Sequence, residues 1–288
     1  MVKTFLRLTA FLITLIGTQA SFAKEVVVLV PGFFNTFTPE YFSQDIINSF
    51  TQKGFQVYIA QGLNPIGTIE DNGTRLENFF QQVEKNENHH VVFNVVAHSA
   101  GGFYSLWLAG RQKFEIKNIL TVSTPYKGIE FVQTWLERSI LFRAVTDLAR
   151  LDGLVELTAP GVKNFMDTVR ISAQTKVFAF GGFQNKGLDF TDARQMSIPL
   201  RITDHFITGI SDGIVGFSSA MGIGDLKTTA NTYAQQFKDE KFMINLEHWE
   251  QVLDARSFLI LGIRNTNVIR NEQIRFYSGL ADLLTTLK

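Results

Sequence analysis

The chain has 288 residues, 45% of them hydrophobic and 27 of them Phe, which is enough for one sizeable domain with a deep core. Basic and acidic residues balance at 27 each, and this near-neutrality argues against a nucleic-acid partner. No Cys is present, so disulfides are excluded and stability rests on the core and on any bound metal.

In chain order the first feature is residues 1–23. Lys3 and Arg7 come ahead of an apolar run at 8–16, and Ser21-Phe22-Ala23 places small residues at the two positions a signal peptidase inspects. This reads as a cleaved secretory signal. The run is short of the ~20 apolar residues that span a bilayer. The absence of Cys after it excludes an acylated N-terminal anchor. Without Lys3 and Arg7 the charges stand at 25 basic against 27 acidic. The protein is expected to be exported, to the periplasm or beyond.

Next comes Val26-Val27-Val28-Leu29-Val30, apolar at every position and stopped by Pro31-Gly32. That pattern predicts a strand buried on both faces of a parallel sheet. Residues 55–60, 91–97 and 119–123 have the same character, while 176–180 and 206–210 are weaker strand candidates. Helix-length stretches at 39–53, 74–84 and 102–111 lie between them. Alternating strands and helices predict a three-layer α/β sandwich with a mostly parallel central sheet. No linker or internal repeat divides residues 24–288, which form one domain. Residues 131–166 break the alternation, with Trp135, Leu136, Ile140, Ala144, Leu148 and Leu151 at helical spacing. They read either as a lid of amphipathic helices or as helices packed on the sheet.

Ser99, in Ala97-His98-Ser99-Ala100-Gly101, follows the buried run 91–97 and precedes Gly102 and a helical segment. A hydroxyl nucleophile works best at a tight strand-to-helix turn, where small residues let the turn close and the helix N-terminus faces the developing oxyanion. The pentapeptide alone is a weak signal, and its strand–helix setting is what points to a nucleophile. Attack requires a base held by a carboxylate, in the chain order Ser, Asp, His.

Of five His residues, His98 points away from the elbow, His89 and His90 precede the strand, and His205 lies between Asp204 and a strand candidate. His248, in Asn245-Leu246-Glu247-His248-Trp249, occupies a late polar step and is the predicted base. Asp212 follows the candidate strand 206–210 and precedes Gly213; it is the predicted acid, ahead of Asp204 and Asp189. The backbone amides of Ala100 and of Phe33, in Pro31-Gly32-Phe33, are the predicted oxyanion donors.

These motifs, in order over most of the chain, resemble the secreted triacylglycerol lipases of Gram-negative bacteria, within the α/β-hydrolase superfamily. Pro31-Gly32-Phe33 resembles their oxyanion loop, residues 97–101 their elbow, and residues 123–128 their Pro-His-Lys-Gly segment. The stretch 157–165 resembles the end of their lid, residues 212–215 the acid, and 245–252 the His loop. Pro31 stands where the family has His and Ala97 where it has Gly. The disulfide of many members is missing.

The resemblance implies a helical lid insert and a structural calcium ion held by Asp192 and Glu250, to which Asp254, one helical turn beyond Glu250, could add its carbonyl or carboxylate. It also implies lipid esters at a lipid–water interface as substrate and, in members that use one, a folding chaperone. The expected activity is hydrolysis of acylglycerol or other lipid esters, with no catalytic cofactor. A phospholipase or acyltransferase would use the same acyl-enzyme, and a catalytically silent lipid-binding module is the remaining alternative.

Overall fold

Strand β1 (Lys24–Val30) is apolar from Val26 to Val30 because both of its faces are covered there, and those five residues are fully buried. Val26, Val28 and Val30 point into one hydrophobic layer and Val27 and Leu29 into the other, as the two-residue period of a strand requires. The computed structural model describes residues 23–35, 41–139, 143–144, 146, 151–184, 196–225, 234–236, 242–254 and 266–287. Apart from Ala23, the expected signal segment lies outside them. So do Asp189, Asp192 and, within the expected lid, Ile140 and Leu148. Among the described residues no helix is long and apolar enough to cross a membrane.

The other strands are β2 (Gln56–Ile59), β3 (Val91–His98), β4 (Glu115–Val122), β5 (Lys176–Phe180) and β6 (Ala234–Gln236). All pairings are parallel, in the spatial order β2-β1-β3-β4-β5-β6. In register, Val30 lies opposite Ala97 and His98 opposite Val122. The strands therefore end together, and the loops that follow them share one edge.

Helices cover both faces. On one lie α2 (Ile69–Glu87), through Leu76, Phe80 and Val83, and α3 (Gly101–Gly110), through Phe103, Tyr104 and Leu106. Phe80 stacks on Phe93 of β3 at 4.2 Å between ring centroids. The opposite face carries α1 (Gln44–Thr51), through Ile46 and Phe50, and α9 (Thr266–Thr286), through Ile269, Phe276, Tyr277 and Leu280. This is the three-layer sandwich expected from the alternation.

Residues 206–210 differ from expectation: they form a turn after α7 (Ile198–Asp204), not a strand. Ile207 is buried, but Ile210 is 59% exposed and Gly209 has a φ of +85°, so no extended face reaches the core. The region expected to form a lid contains α4 (Glu130–Arg138), α5 (Asp152–Glu156) and α6 (Ala159–Thr168). Val162 and Met166 of α6 pack into the core, and Phe165 meets Phe103 of α3 edge-on at 5.6 Å. Trp135 of α4 packs against Phe131 and against Phe206 of the turn after α7. The short helix α8 (Phe217–Ala220) closes the following segment.

Candidate active site

The turn between β3 and α3 holds Ser99 at φ +55°, in the left-handed region that a non-glycine residue enters only under constraint. The constraint is visible. The Ser99 N–H donates to Val122 O at 2.9 Å, while its own carbonyl accepts from the Gly102 N–H at 3.1 Å and the Thr124 hydroxyl at 2.8 Å. Anchored this way at the end of a buried strand, the side chain projects from the sheet's carboxyl edge.

His248 Nε2 lies 3.0 Å from Ser99 Oγ. Its Nδ1 lies 2.8 Å from Asp212 Oδ2, and its backbone N–H donates to the Asp212 carbonyl at 2.9 Å. All three residues are buried, Asp212 completely. Burial by itself raises the Asp212 pKa, but the adjacent His248 charge and hydrogen bonds from His248, Val215 and Ile214 outweigh it and hold the carboxyl below its usual range. The amides of Ile214 and Val215 reach Oδ1 at 3.1 and 2.8 Å, and the Gln251 amide reaches Oδ2 at 2.9 Å.

Asp212 sits in a closed turn, not at the end of a strand. Asp212 N–H donates to Val215 O, Ser211 bridges to Gly216, and Gly213 takes a φ of +92° that only glycine adopts without strain. Asp204, a rival for the acid by sequence, instead accepts a hydrogen bond from Ser211 Oγ, which in turn accepts from the Gly213 N–H at 3.0 Å. It braces the turn that presents Asp212.

The loop after β1 passes against Ser99. A Cβ on Gly32 would lie 2.7 Å from Ser99 Cβ and 2.9 Å from the His98 carbonyl, so only glycine fits. The amides flanking Phe33 are engaged, Gly32 with the Tyr41 hydroxyl at 2.9 Å and Phe34 with Pro65 O at 2.8 Å. Neither Phe33 nor Ala100 donates its own N–H to an acceptor among the described residues. Two unused amides beside a serine hydroxyl are what a developing oxyanion requires.

The loop bearing His248 is tied to its surroundings. Ile244 bridges to Gly182 just beyond β5, and Gln273 of α9 donates to the carbonyls of Glu250 at 2.7 Å and Leu253 at 2.8 Å. Asn245 N–H is held by Glu272 at 2.8 Å.

Of the residues singled out for calcium, Glu250 is fully buried and Asp254 nearly so, while Asp192 lies outside the described residues. Among the described residues no group of three metal-ligating side chains gathers. His205 lies on the turn after α7 and packs edge-on against Phe206. His90 pairs with Glu115 at the far end of the sheet. Tyr41 and Gln251 belong to the site but carry no motif, since only tertiary contacts reveal them.

No protein-family model matches the chain, and no curated protein sequence does so. Solved structures do. The metagenomic carboxyl esterase MGS0156 superposes with a TM-score of 0.62 at 15% identity, over 94% of this chain and 76% of that one. The mature form of the Bacillus licheniformis lipase BlEst2 gives 0.55 at 18% identity, over 83% of this chain and 92% of that one. Its propeptide form gives 0.57 at 19% identity, over 78% of this chain and 46% of that one, so this chain spans about half the length of that form. Identities this low speak to the fold: the chain has the α/β-hydrolase fold.

Proposed function

We propose that this protein is a serine ester hydrolase, lipase-like, acting on acylglycerol or other lipid esters through an acyl-enzyme. The observation that carries the reading is the continuous hydrogen-bonded line from Ser99 Oγ through His248 to Asp212. In the first half-reaction Ser99 Oγ attacks the ester carbonyl as His248 Nε2 takes its proton. The oxyanion is held by the Phe33 and Ala100 amides, and His248 then protonates the leaving alkoxide. Asp212 keeps the proton of neutral His248 on Nδ1 and stabilises the imidazolium. Water repeats the cycle on the acyl-enzyme and releases the acid.

Trp135 and Leu136 of α4, both half-buried, supply an apolar wall for an acyl chain. Export of the mature chain from residue 24 belongs to the same reading and rests on the composition of residues 1–23. A structural calcium held by Asp192, Glu250 and Asp254 belongs to it as well. It rests on the resemblance of residues 245–252 to the His loop of the secreted triacylglycerol lipases, and Glu250, two residues after His248, is buried. The ion would steady the His loop and take no part in bond making.

The test is hydrolysis of a chain-length series of p-nitrophenyl esters by the mature protein, with and without chelator. Loss of hydrolysis in Ser99→Ala is expected. Full activity in that variant refutes the reading.

A further inference from the structure

His98 precedes the nucleophile and is completely buried, yet the reaction described above gives it no task. Its ring lies 4.5 Å from the His248 ring, inclined at 43°. The proton on His98 can be located from its neighbours. Gly32 N–H donates to the Tyr41 hydroxyl oxygen, so the single hydroxyl proton of Tyr41 is directed at His98 Nδ1, 2.9 Å away. Nδ1 must then be the acceptor nitrogen and Nε2 carries the hydrogen.

The Gln251 side chain lies against the same ring. Its amide nitrogen is committed to Asp212 Oδ2 at 2.9 Å and Leu246 O at 3.2 Å, which turns Oε1 away from the carboxylate. His98 Nε2 and Gln251 Oε1 are each buried and neither meets a partner at hydrogen-bonding geometry; the Gln251 side chain and the His248 backbone are the groups that face His98 there, and Nε2 and Oε1 are complementary, one a donor and one an acceptor.

We propose that His98 is a positioning residue: as its Nε2–H tautomer it holds Gln251 by Oε1, so that the Gln251 amide donates to the Asp212 oxygen that binds His248. This deepens the serine-hydrolase reading and rests on it. Every donor in the chain points the same way, from Gly32 through Tyr41, His98 and Gln251 to Asp212, so each bond polarises the next toward the carboxylate. The oxyanion loop and the catalytic acid are thereby set by one network.

The groups facing His98 are Tyr41, Gln251, His248 and Asp212. Burial, and then the charge of His248, push its pKa well below the usual histidine value. It therefore stays neutral beside the imidazolium that forms on His248.

The test compares wild type with His98→Phe, Gln251→Met, the double variant and His98→Gln, each checked for folding by circular dichroism. Each single apolar variant is expected to lower kcat on the order of ten-fold with KM unchanged. The double variant should fall no further than either single one, because both break one chain. His98→Gln, which restores both a donor and an acceptor, is expected to recover most of the loss. Losses that multiply in the double variant, or wild-type kcat in His98→Phe, overturn the proposal. If His98→Phe does not fold, Tyr41→Phe with Gln251→Met completes the same cycle, read by the same criterion. Nitrogen-15 NMR supplies a readout independent of turnover: the Nε2–H tautomer of His98 is expected and the Nδ1–H tautomer overturns it. A wild type that neither turns over esters nor reacts with a fluorophosphonate overturns the hydrolase reading itself, which these variant comparisons do not.

Discussion

His248 is joined to Asp212 twice, by Nδ1 to Oδ2 at 2.8 Å and by its backbone N–H to the Asp212 carbonyl at 2.9 Å. The side-chain contact sets the tautomer and the main-chain contact sets where the loop sits. Changing Asp212 to Asn leaves the second intact and disturbs the first, together with the Gln251 amide's bond to the same oxygen. Asn keeps an oxygen for the Ile214 and Val215 amides but turns N–H groups toward His248 Nδ1. The imidazole is then driven to the tautomer whose Nε2 cannot accept the Ser99 proton. A fall in kcat of about 10³–10⁴ is expected in a protein that still folds, measured by ester hydrolysis and calorimetry.

Gly32 supplies a steric prediction. Because a methyl group there meets Ser99 Cβ at 2.7 Å and the His98 carbonyl at 2.9 Å, Gly32→Ala must push the loop and the Phe33 amide away from the nucleophile. Losing one oxyanion donor costs about 10²–10³ in kcat. Rates near wild type in a folded Gly32→Ala would place the oxyanion elsewhere.

The strands were legible because a parallel sheet covered on both faces demands unbroken apolar runs, which Val26 to Val30 and Val91 to Ala97 display. Strand β6 was not, since Ala234–Gln236 is three residues long and its sequence, Ala-Gln-Gln, has no apolar run. The run 206–210 misled in the opposite sense: Phe206, Ile207 and Ile210 look strand-like, but Gly209 turns the chain and Ile210 faces solvent. Helix α9 does carry a readable signal, with Ile269, Gln273, Phe276, Tyr277, Leu280 and Leu284 recurring on one face. Ser99, Asp212 and His248, which the structure brings into contact, could be picked out because a serine–histidine–carboxylate arrangement dictates residue types and, in this fold, their order. Tyr41 and Gln251 could not, because hydrogen bonds between residues far apart in sequence, Tyr41 with His98 and Gln251 with Asp212, leave no local pattern.

Gln273 gives a stability prediction. It is 1% exposed, donates to Glu250 O and Leu253 O, and accepts from the Ser43 hydroxyl at 2.9 Å. Gln273→Met removes all three of these bonds, at a cost of about 3 kcal/mol, or roughly 8 °C in Tm for a chain of this size. The loop it releases carries His248, so kcat is expected to fall with Tm. An unchanged Tm would show that the loop is held by other contacts.

The pKa shifts fix the sign of the acid response. His98 in the native state takes up its proton only well below 6.5, whereas the unfolded chain takes it up at about that value. Stability is therefore full above pH 6.5 and declines as pH falls below it. Asp212, held below its ordinary 3.8, adds a second loss as pH drops from that value toward its native one. The urea midpoint is expected to be lower at pH 5 than at pH 7.5, and His98→Phe should flatten that difference. Equal midpoints in the wild type would mean that His98 titrates normally.

The central claim is that Ser99 is an activated nucleophile, and covalent labelling tests it most directly. Mature protein treated with a fluorophosphonate and digested should show one adduct, on the peptide containing Ser99, and none in Ser99→Ala. An unlabelled wild type, or an adduct that persists in Ser99→Ala, contradicts the account.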